Sequence, residues 1–356
     1  MTIGADVHKE LVWTSDPDGS ARAFENSKPG VDKLLRGLEP GSTVAMEATG
    51  KYYKLLADTA FQRGFRVMVF NPRDVLYYAK SVSPRAKTDR VDAKVIARYA
   101  LVRTDHHPYQ PTPGIIATLK SMLRTRASLV ASRTGLGNRL RECPESESYL
   151  RPSIQGLSAS VAAIDKEILP IVRTLPQYAA LRKIPGFGPV VAPYMLALLA
   201  SATFRHSDSF VAFIGLDIRV KQSGKKKGKC CISKRGDPEA RRLLYLAAQA
   251  VCRRPGPFRD MYLRYQLHGL CKIAALNAVA RKLARTAWAM YTKNEEYRPD
   301  LLCKQPYSSS AAARQAIRAA LRSQPAQSDA GVVATRPRSP ADNAAEHQGM
   351  YLCHLH

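Results

Sequence analysis

The stretch Ile3-Gly4-Ala5-Asp6-Val7-His8-Lys9 contains a short apolar run interrupted by a carboxylate. A run of this kind predicts a buried β-strand, and an unpaired charge on it is costly unless a ligand or partner satisfies it. Further carboxylates follow at Glu47, at the end of another apolar run, and at Asp89 and Asp92. These acids are therefore the starting point for predicting the fold, which has to place Glu47, Asp89 and Asp92 next to the first strand.

The first seventy residues alternate short apolar runs with turns and helical patterns. Leu11–Thr14 and Arg22–Phe24 are typical of strands, and the turn-forming residues Asp16–Ser20 between them predict a hairpin. A helical pattern follows, then a strand that ends at Glu47, a second helix and a last strand closed by Asn71-Pro72. This order predicts a ribonuclease-H-like α/β layer in which the fourth strand neighbours the first, so that Asp6 and Glu47 converge.

Asp89 and Asp92 lie three residues apart on a predicted helix, so both carboxylates share one face. Clustered carboxylates repel one another unless a cation neutralises them, and oxygen-only ligands suit Mg²⁺ or Mn²⁺. Two such ions about 4 Å apart can activate the attacking oxygen and stabilise the leaving oxygen in phosphoryl transfer. In the alternative interpretation Asp89 caps the helix, and Arg90 and Lys94 form ordinary surface ion pairs with the acids.

The charge of the chain points to a polyanionic partner. Its 356 residues include 55 Lys and Arg against 29 Asp and Glu, a net charge of +26. Nucleic acid is the first expectation. No apolar run has the length of a membrane-spanning helix and the start lacks a signal-peptide pattern, which favours a cytoplasmic protein without a membrane partner. The seven cysteines show no CxxC spacing, which predicts reduced thiols.

Composition divides the rest of the chain into three regions. From 112 to 180, apolar residues recur at helical spacing among many Arg and Lys, with a break at Cys143–Glu145. We expect a basic helical linker, a broken coiled coil, that pairs subunits or lies along nucleic acid; a bundle packing its own domain is the alternative. A mainly α-helical domain follows over 181–302. Residues 303–356 are rich in Ala, Ser, Gln and Pro, which predicts a disordered tail.

Two features of the 181–302 region suit phosphate contacts. Gly186 and Gly188 lie in a turn between predicted helices, where backbone N–H groups can bind a phosphate as in helix-hairpin-helix elements. A plain helix-helix turn is the alternative. The loop that follows is strongly cationic and suits backbone phosphates through Lys225, Lys226, Lys227 and Lys229.

Ser233 lies just past the cationic loop. The pair Asp237-Pro238 is the better signal for the start of the next helix, so Ser233 has no evident capping role. A serine hydroxyl is a poor nucleophile unless a base or metal activates it, and no nearby His is apparent. The neighbouring basic residues could offset phosphate charge in a transition state: Lys234, Arg235, Arg241 and Arg242.

The motifs, in this combination and order, resemble the DEDD-type transposases of insertion-sequence family 110, which are also similar to the Piv DNA invertases. The resemblance covers residues 3 to about 302. It is carried by I-G-x-D at Ile3–Asp6, E-A-T-G at Glu47–Gly50, N-P at Asn71–Pro72, K-T-D-x-x-D-A at Lys87–Ala93, I-P-G-x-G at Ile184–Gly188 and I-S-K-x-G at Ile232–Gly236.

The resemblance implies a RuvC-like nuclease domain over 1–111, a coiled-coil linker over 112–180 and a transposase domain over 181–302. It implies that Asp6, Glu47, Asp89 and Asp92 bind the metal, and that Ser233 is the nucleophile, activated by the acids of another subunit. A 5′-phosphoserine intermediate, strand exchange and a Holliday-junction-like intermediate follow from it. Family members form tetramers and use a structured noncoding guide RNA, the bridge RNA, that pairs with donor and target double-stranded DNA.

One departure lies at Gly215-Leu216-Asp217-Ile218, where the family commonly has G-L-x-P, and the tail after Leu302 shows no resemblance. Two other functions stay open. A DNA invertase or junction-resolving nuclease would act with protein, metal and DNA alone. A non-catalytic nucleic-acid-binding protein would use the acids only in salt bridges, and metal chelation would leave its function unchanged.

Overall fold

The computed structural model describes residues 1–82, 88–103, 109–219, 222–223, 226–227 and 230–299. The chain divides into two compact units, one of residues 1–172 with 197–203, the other of residues 173–196 with the described residues from 204 to 299. The tail predicted to be disordered, 303–356, lies outside the described residues, as do Lys225 and Lys229. Among the described helices, none combines the length and apolar character needed to cross a membrane.

A mixed five-stranded sheet forms the centre of the first unit, in the order β3-β2-β1-β4-β5. The first three strands are antiparallel, and β4 and β5 run parallel to β1. This arrangement confirms the predicted strand order and the neighbouring of the first and fourth strands, and it is consistent with a ribonuclease-H-like layer. The strands are β1 Thr2–Val7, β2 Leu11–Ser15, β3 Ala21–Glu25, β4 Thr43–Glu47 and β5 Arg66–Phe70.

Two apolar clusters cover the two faces of this sheet. Because successive strand residues point to opposite faces, Val44 and Met46 belong to the cluster with α1 and α2, whereas Ala45 belongs to the cluster with α3 and α4. Sequence analysis missed α3, which begins at the proline that was interpreted as the end of β5. The helices are α1 Lys28–Arg36, α2 Tyr53–Gln62, α3 Pro72–Val82 and α4 Asp89–Val102.

Two long helices complete the first unit: α5 Gly114–Glu142 and α6 Glu147–Arg173. Cys143 ends α5, and a short 3₁₀ turn at Pro144–Ser146 leads into α6, which confirms the break predicted here. Arg126 of α5 donates from Nη2 to Oδ2 of Asp165 on α6 at 2.9 Å. The two helices are thus joined by an ion pair as well as by their connecting turn.

The region after Arg173 is mainly helical, as predicted. Its longest helix, α12, packs against α7, α9, α10 and α11 and so forms the centre of its core. Asp237 caps α10 with Pro238 in the first turn, also as predicted, whereas α11 and the short strands were missed. The elements are α7 Gln177–Arg182, α8 Val191–Leu199, α9 Ser207–Ile214, β6 Ile218–Arg219, β7 Gln222–Ser223, β8 Lys226–Lys227, β9 Cys231–Ile232, α10 Pro238–Arg253, α11 Pro257–Leu267 and α12 Lys272–Lys293.

Candidate metal centre and serine loop

The strand register brings Asp6 and Glu47 together. Ala5 on β1 pairs with Met46 on the parallel strand β4, so the next residue of each strand, Asp6 and Glu47, lies at the same edge of the sheet. Asp6 is only 8% exposed. Glu47 accepts a hydrogen bond at Oε1 from the Thr49 hydroxyl at 2.6 Å, which orients its carboxylate.

Helix α4 lies directly on β1 because Gly4 has no side chain. A Cβ at this position would lie 2.2 Å from the carbonyl oxygen of Ala93 and 2.3 Å from the backbone nitrogen of Ala97. No side chain larger than hydrogen fits between the strand and the helix. The first turn of α4, which carries Asp89 and Asp92, is thereby held next to Asp6.

The start of α4 is capped by Thr88, whose hydroxyl accepts a hydrogen bond from the backbone N–H of Val91. Asp89 is therefore not needed as the cap, in contrast to the alternative considered from the sequence. Lys94 donates from Nζ to the carbonyl oxygen of Asp18 at 2.8 Å, and Arg98 donates from Nε to that of Pro17 at 2.8 Å. Both bonds fasten α4 to the turn between β2 and β3.

The surroundings of Asp6 disfavour its charged form. Burial raises the pKa of this carboxyl above its ordinary value, and the negative charges of Glu47 and Asp92 raise it further, whereas His8 lowers it. His8 Nε2 lies 3.2 Å from Asp6 Oδ2 and 3.6 Å from Asp89 Oδ1. One ligand atom from each of Asp6, His8 and Asp89 falls within 4.8 Å of the others.

This donor set fits a divalent cation. A cation would offset the repulsion among the acids, and carboxylate oxygens are the ligands that hard divalent ions take. Sequence analysis assigned no role to His8, although a residue two positions after Asp6 points to the same face wherever the strand geometry continues. An open cleft of about 470 Å³ is lined in part by His8, Thr49 and Asp89, so the side of the cluster that carries Asp89 is open to solvent.

Ser233 lies in the second unit, immediately after β9, and is 6% exposed. Its backbone N–H donates to the carbonyl oxygen of Asp217 at 2.8 Å, and that of Lys234 donates to Gly215 at 3.1 Å. Its hydroxyl donates to the Asp217 carboxylate and accepts from the backbone N–H of Arg235 at 3.4 Å. Sequence analysis missed Asp217 as a partner of the serine.

The basic residues after Ser233 have different surroundings. Lys234, in the left-handed region with φ of 56°, and Arg235 are exposed. Arg241 donates from Nη1 to two backbone carbonyl oxygens, those of Ile214 at 3.1 Å and Gly236 at 2.8 Å. Arg242 forms a bidentate ion pair with Glu239, in which Nε and Nη2 each donate to one carboxylate oxygen. Lys226 and Lys227 lie on β8, and their side chains lie outside the described part of the structure.

The turn with Gly186 and Gly188 lies between α7 and α8. Gly186 has φ of +84°, and a Cβ there would lie 2.8 Å from Cγ1 of Val251 and 3.1 Å from the carbonyl oxygen of Ala247, both on α10. Close packing against α10 is thus one reason why this position requires glycine. A Cβ at Gly188 would meet only the Arg182 guanidinium at 3.9 Å.

Two family models match the chain and together span well over half of it. Residues 3–144 match the model of the IS110 DEDD transposases, and residues 178–263 match that of the transposases of the IS116/IS110/IS902 family. The first match contains all four acids, and the second contains Ser233. The acids that converge at the edge of the sheet are therefore within the DEDD part of the match.

Several relatives carry the same similarity over most of their length. The pilin gene-inverting protein of Moraxella lacunata is 29% identical over 71% of this chain and 80% of its own. A probable family 20 transposase of Pseudomonas aeruginosa is 29% identical over 83% and 98%. The transposase for insertion sequence element IS1111A of Coxiella burnetii is 27% identical over 72% and 79%. The chain belongs to the IS110 family of DEDD transposases, enzymes of phosphoryl transfer on DNA.

Proposed function

We propose that this protein is a recombinase of an insertion sequence in which Asp6, Glu47, Asp89 and Asp92 bind Mg²⁺ or Mn²⁺ and Ser233 attacks the DNA phosphodiester. The observation that carries the metal site is the convergence of acids on the buried Asp6, whose pKa is raised by burial and by Glu47 and Asp92. Such a cluster is costly without a cation.

The chemistry is divided between the two units. Bound divalent ions would act as Lewis acids on phosphate oxygens. The four acids hold those ions, and Ser233 forms the new bond to phosphorus, which leaves a 5′-phosphoserine and a free 3′ end for strand exchange. The acids and the serine belong to different compact units, so we propose a composite site in a tetramer, with the acids of one subunit serving the serine of another.

Donor and target double-stranded DNA and a structured guide RNA are the proposed partners. The net charge of +26 supports binding of more than one polyanion. We assign a RuvC-like domain to 1–111, a coiled-coil linker to 112–180 and a transposase domain to 181–302. The phosphates of the DNA and RNA backbones would contact the glycine turn and the basic residues on either side of the serine: Gly186, Gly188, Lys225, Lys226, Lys227, Lys229, Lys234, Arg235, Arg241 and Arg242.

The test is a plasmid recombination assay on the element with its flanking DNA, with and without the RNA that copurifies with the protein. Ser233→Ala and Asp6→Ala are expected to abolish recombination and to retain nucleic-acid binding. Matched controls are Ser160→Ala on α6, which is exposed, and Asp32→Ala on α1, which is half-buried and pairs with Arg63; both should keep activity. Chelation should stop the reaction and added Mg²⁺ or Mn²⁺ restore it. Full activity of either site variant would refute the proposal.

A second candidate is a DNA invertase that needs no guide RNA. The similarity to the pilin gene-inverting protein of Moraxella lacunata favours it. It predicts recombination by protein, metal and DNA alone, whereas the guided mechanism predicts that one structured RNA is enriched and required. The same assay therefore separates the two.

A further inference from the structure

We propose that Asp217 is the proton acceptor of Ser233 during strand cleavage, an inference that rests on the proposed role of Ser233 as nucleophile. The Ser233 hydroxyl donates its hydrogen bond to Oδ1 of Asp217. An ionised carboxylate can only accept, so the serine proton already lies on the bond along which it would leave. The base that the sequence did not reveal is thus a carboxylate sixteen residues upstream.

The backbone fixes this contact. Strands β6 and β9 pair antiparallel, with Ile218 opposite Ile232, so Asp217 and Ser233 are the next residues along the ladder. The bond from the Ser233 N–H to the Asp217 carbonyl oxygen at 2.8 Å continues the pairing by one step. Side chains directly opposite in an antiparallel pair share a face, with Cβ atoms about 5 Å apart. The contact therefore follows from the strand register.

The loop that carries Ser233 also packs closely against the backbone at the end of α9. A Cβ on Gly236 would lie 2.0 Å from the carbonyl oxygen of Phe213, and a Cβ on Gly215 would lie 2.6 Å from the Gly236 nitrogen. Arg241 bridges the two segments by donating to Ile214 and Gly236. The two backbones are thus in direct contact, which holds nucleophile and acceptor in one geometry, as catalysis requires.

Among the described residues, the Asp217 carboxylate has no hydrogen-bond partner besides the Ser233 hydroxyl and the loop around it. In the described part of the chain, none of the ion pairs involves its carboxylate. Asp237 of the same region differs, because its carboxylate caps α10 and accepts a bond from the Tyr194 hydroxyl. Asp217 is half-buried, so the pair can be reached by a phosphodiester.

In the proposed step the serine proton passes to Asp217 Oδ1 as Oγ attacks phosphorus. The Oγ–P bond forms, the bond from phosphorus to the 3′ oxygen breaks, and that oxygen takes a proton from solvent. In the reverse direction, the attacking 3′-hydroxyl gives its proton to solvent, and Ser233 leaves with the proton held by Asp217. No oxidant, reductant or further reactant is needed.

The test measures the rate of covalent attachment of the full-length protein to plasmid DNA carrying the element with its flanks. The reaction contains the copurified RNA and Mg²⁺, and mass spectrometry locates the adduct on the Ser233 peptide. Asp217→Asn keeps an acceptor oxygen but cannot take the proton, and we expect a loss of roughly 10²- to 10⁴-fold. Asp217→Glu should recover part of the rate. The matched control is Asp208→Asn on α9, an exposed partner of Arg285, which should react like the wild type.

A pH profile separates proton transfer from positioning. We expect the wild-type rate to be flat from about pH 6 to 8, and the residual rate of Asp217→Asn to rise about tenfold per pH unit, because hydroxide then takes the proton. The described segments that carry the pair, 215–219 and 230–242, hold Arg, Lys, Asp and Glu side chains and the two exposed thiols of Cys230 and Cys231. Of these side-chain types only thiols ordinarily titrate near pH 8, so the profile is measured in a background with Cys230→Ser and Cys231→Ser.

Each outcome decides one point. If Ser233→Ala still recombines, the proposed function fails regardless of Asp217. If Ser233→Ala is inactive while Asp217→Asn reacts within about threefold of the wild type, the proton-acceptor role alone is overturned. A slow Asp217→Asn whose rate keeps the wild-type pH profile also overturns it, since the carboxylate then only positions the hydroxyl. Circular dichroism and nucleic-acid binding check that the variants are folded.

Discussion

Gly4→Ala places a methyl group between β1 and α4, where there is no space for it. The added Cβ would lie 2.2 Å from the carbonyl oxygen of Ala93 and 2.3 Å from the nitrogen of Ala97, both backbone atoms of one helix. Ordinary contact requires a separation of about 3.4 Å, so the helix must move away by about 1 Å. Overpacking of this kind costs typically about 1–3 kcal/mol. For a unit of this size, each kcal/mol lowers Tm by roughly 2–4 °C.

The same movement separates the acids. Asp89 and Asp92 lie on the displaced helix, whereas Asp6 and Glu47 lie on strands that stay in place. Misplacement of a reacting group by about 1 Å can cost roughly 10²-fold in rate. We therefore expect Gly4→Ala to lower the recombination rate by about that factor and to raise the Mg²⁺ concentration needed for half-maximal activity. Thermal unfolding and the plasmid assay at several Mg²⁺ concentrations measure the two effects.

Gly135→Ala on α5 is the matched control. A Cβ at Gly135 meets no atom within 4 Å, and the residue lies inside a helix. The identical chemical change should there be neutral or stabilise by up to about 1 kcal/mol, because alanine is the better helix former. If Gly4→Ala unfolds at the wild-type temperature with the wild-type Mg²⁺ dependence, the close contact of α4 with β1 does not hold the acids together and the reasoning is refuted.

Two further predictions concern buried titratable groups. Burial, with Glu47 and Asp92, raises the pKa of Asp6 from 3.8, so ionising it costs stability as pH rises above that value. Asp6→Asn should therefore raise the Tm of the metal-free protein at pH 7 and leave it unchanged near pH 3; a lower Tm at pH 7 would contradict this. Burial also raises the pKa of Cys252 to about 12, so a thiol reagent at pH 8 should label the exposed Cys231 in the native protein and spare Cys252, as mass spectrometry of the peptides would reveal.

The convergence of the acids was largely predictable because the elements that carry them have strong local sequence signals. An apolar run around Asp6, another that ends at Glu47, and two acids at helical spacing each follow from short-range patterns. Their convergence follows from one rule of strand order, in which the fourth strand lies beside the first. Helix α3 was missed because its first residue, Pro72, was interpreted as a terminator, although proline is also favoured in the first turn of a helix.

The serine site could not be predicted to the same depth. Asp217 and Ser233 are sixteen residues apart and meet because two strands of two residues each pair in one register. Strands this short have no periodic sequence pattern from which that register could be predicted. The departure at Gly215–Ile218 was visible in the sequence, but its meaning was not. Gly215 ends α9 in the left-handed conformation with φ of 75°, and Ile218, where the family commonly has proline, is the first residue of β6.

The acid cluster depends on packing that has no chemical role of its own. Ala93, Ile96 and Ala97 on α4 are buried against the sheet, and Gly4 allows that helix to approach without a gap. Burial of an isoleucine side chain alone contributes about 1.5–3 kcal/mol, which helps to offset the repulsion that would otherwise drive the first turn of α4 away from Asp6. A cation relieves the same repulsion, so metal binding and α4 packing stabilise one arrangement. Variants that weaken this packing should consequently lose activity first at low Mg²⁺ and regain it as Mg²⁺ is raised.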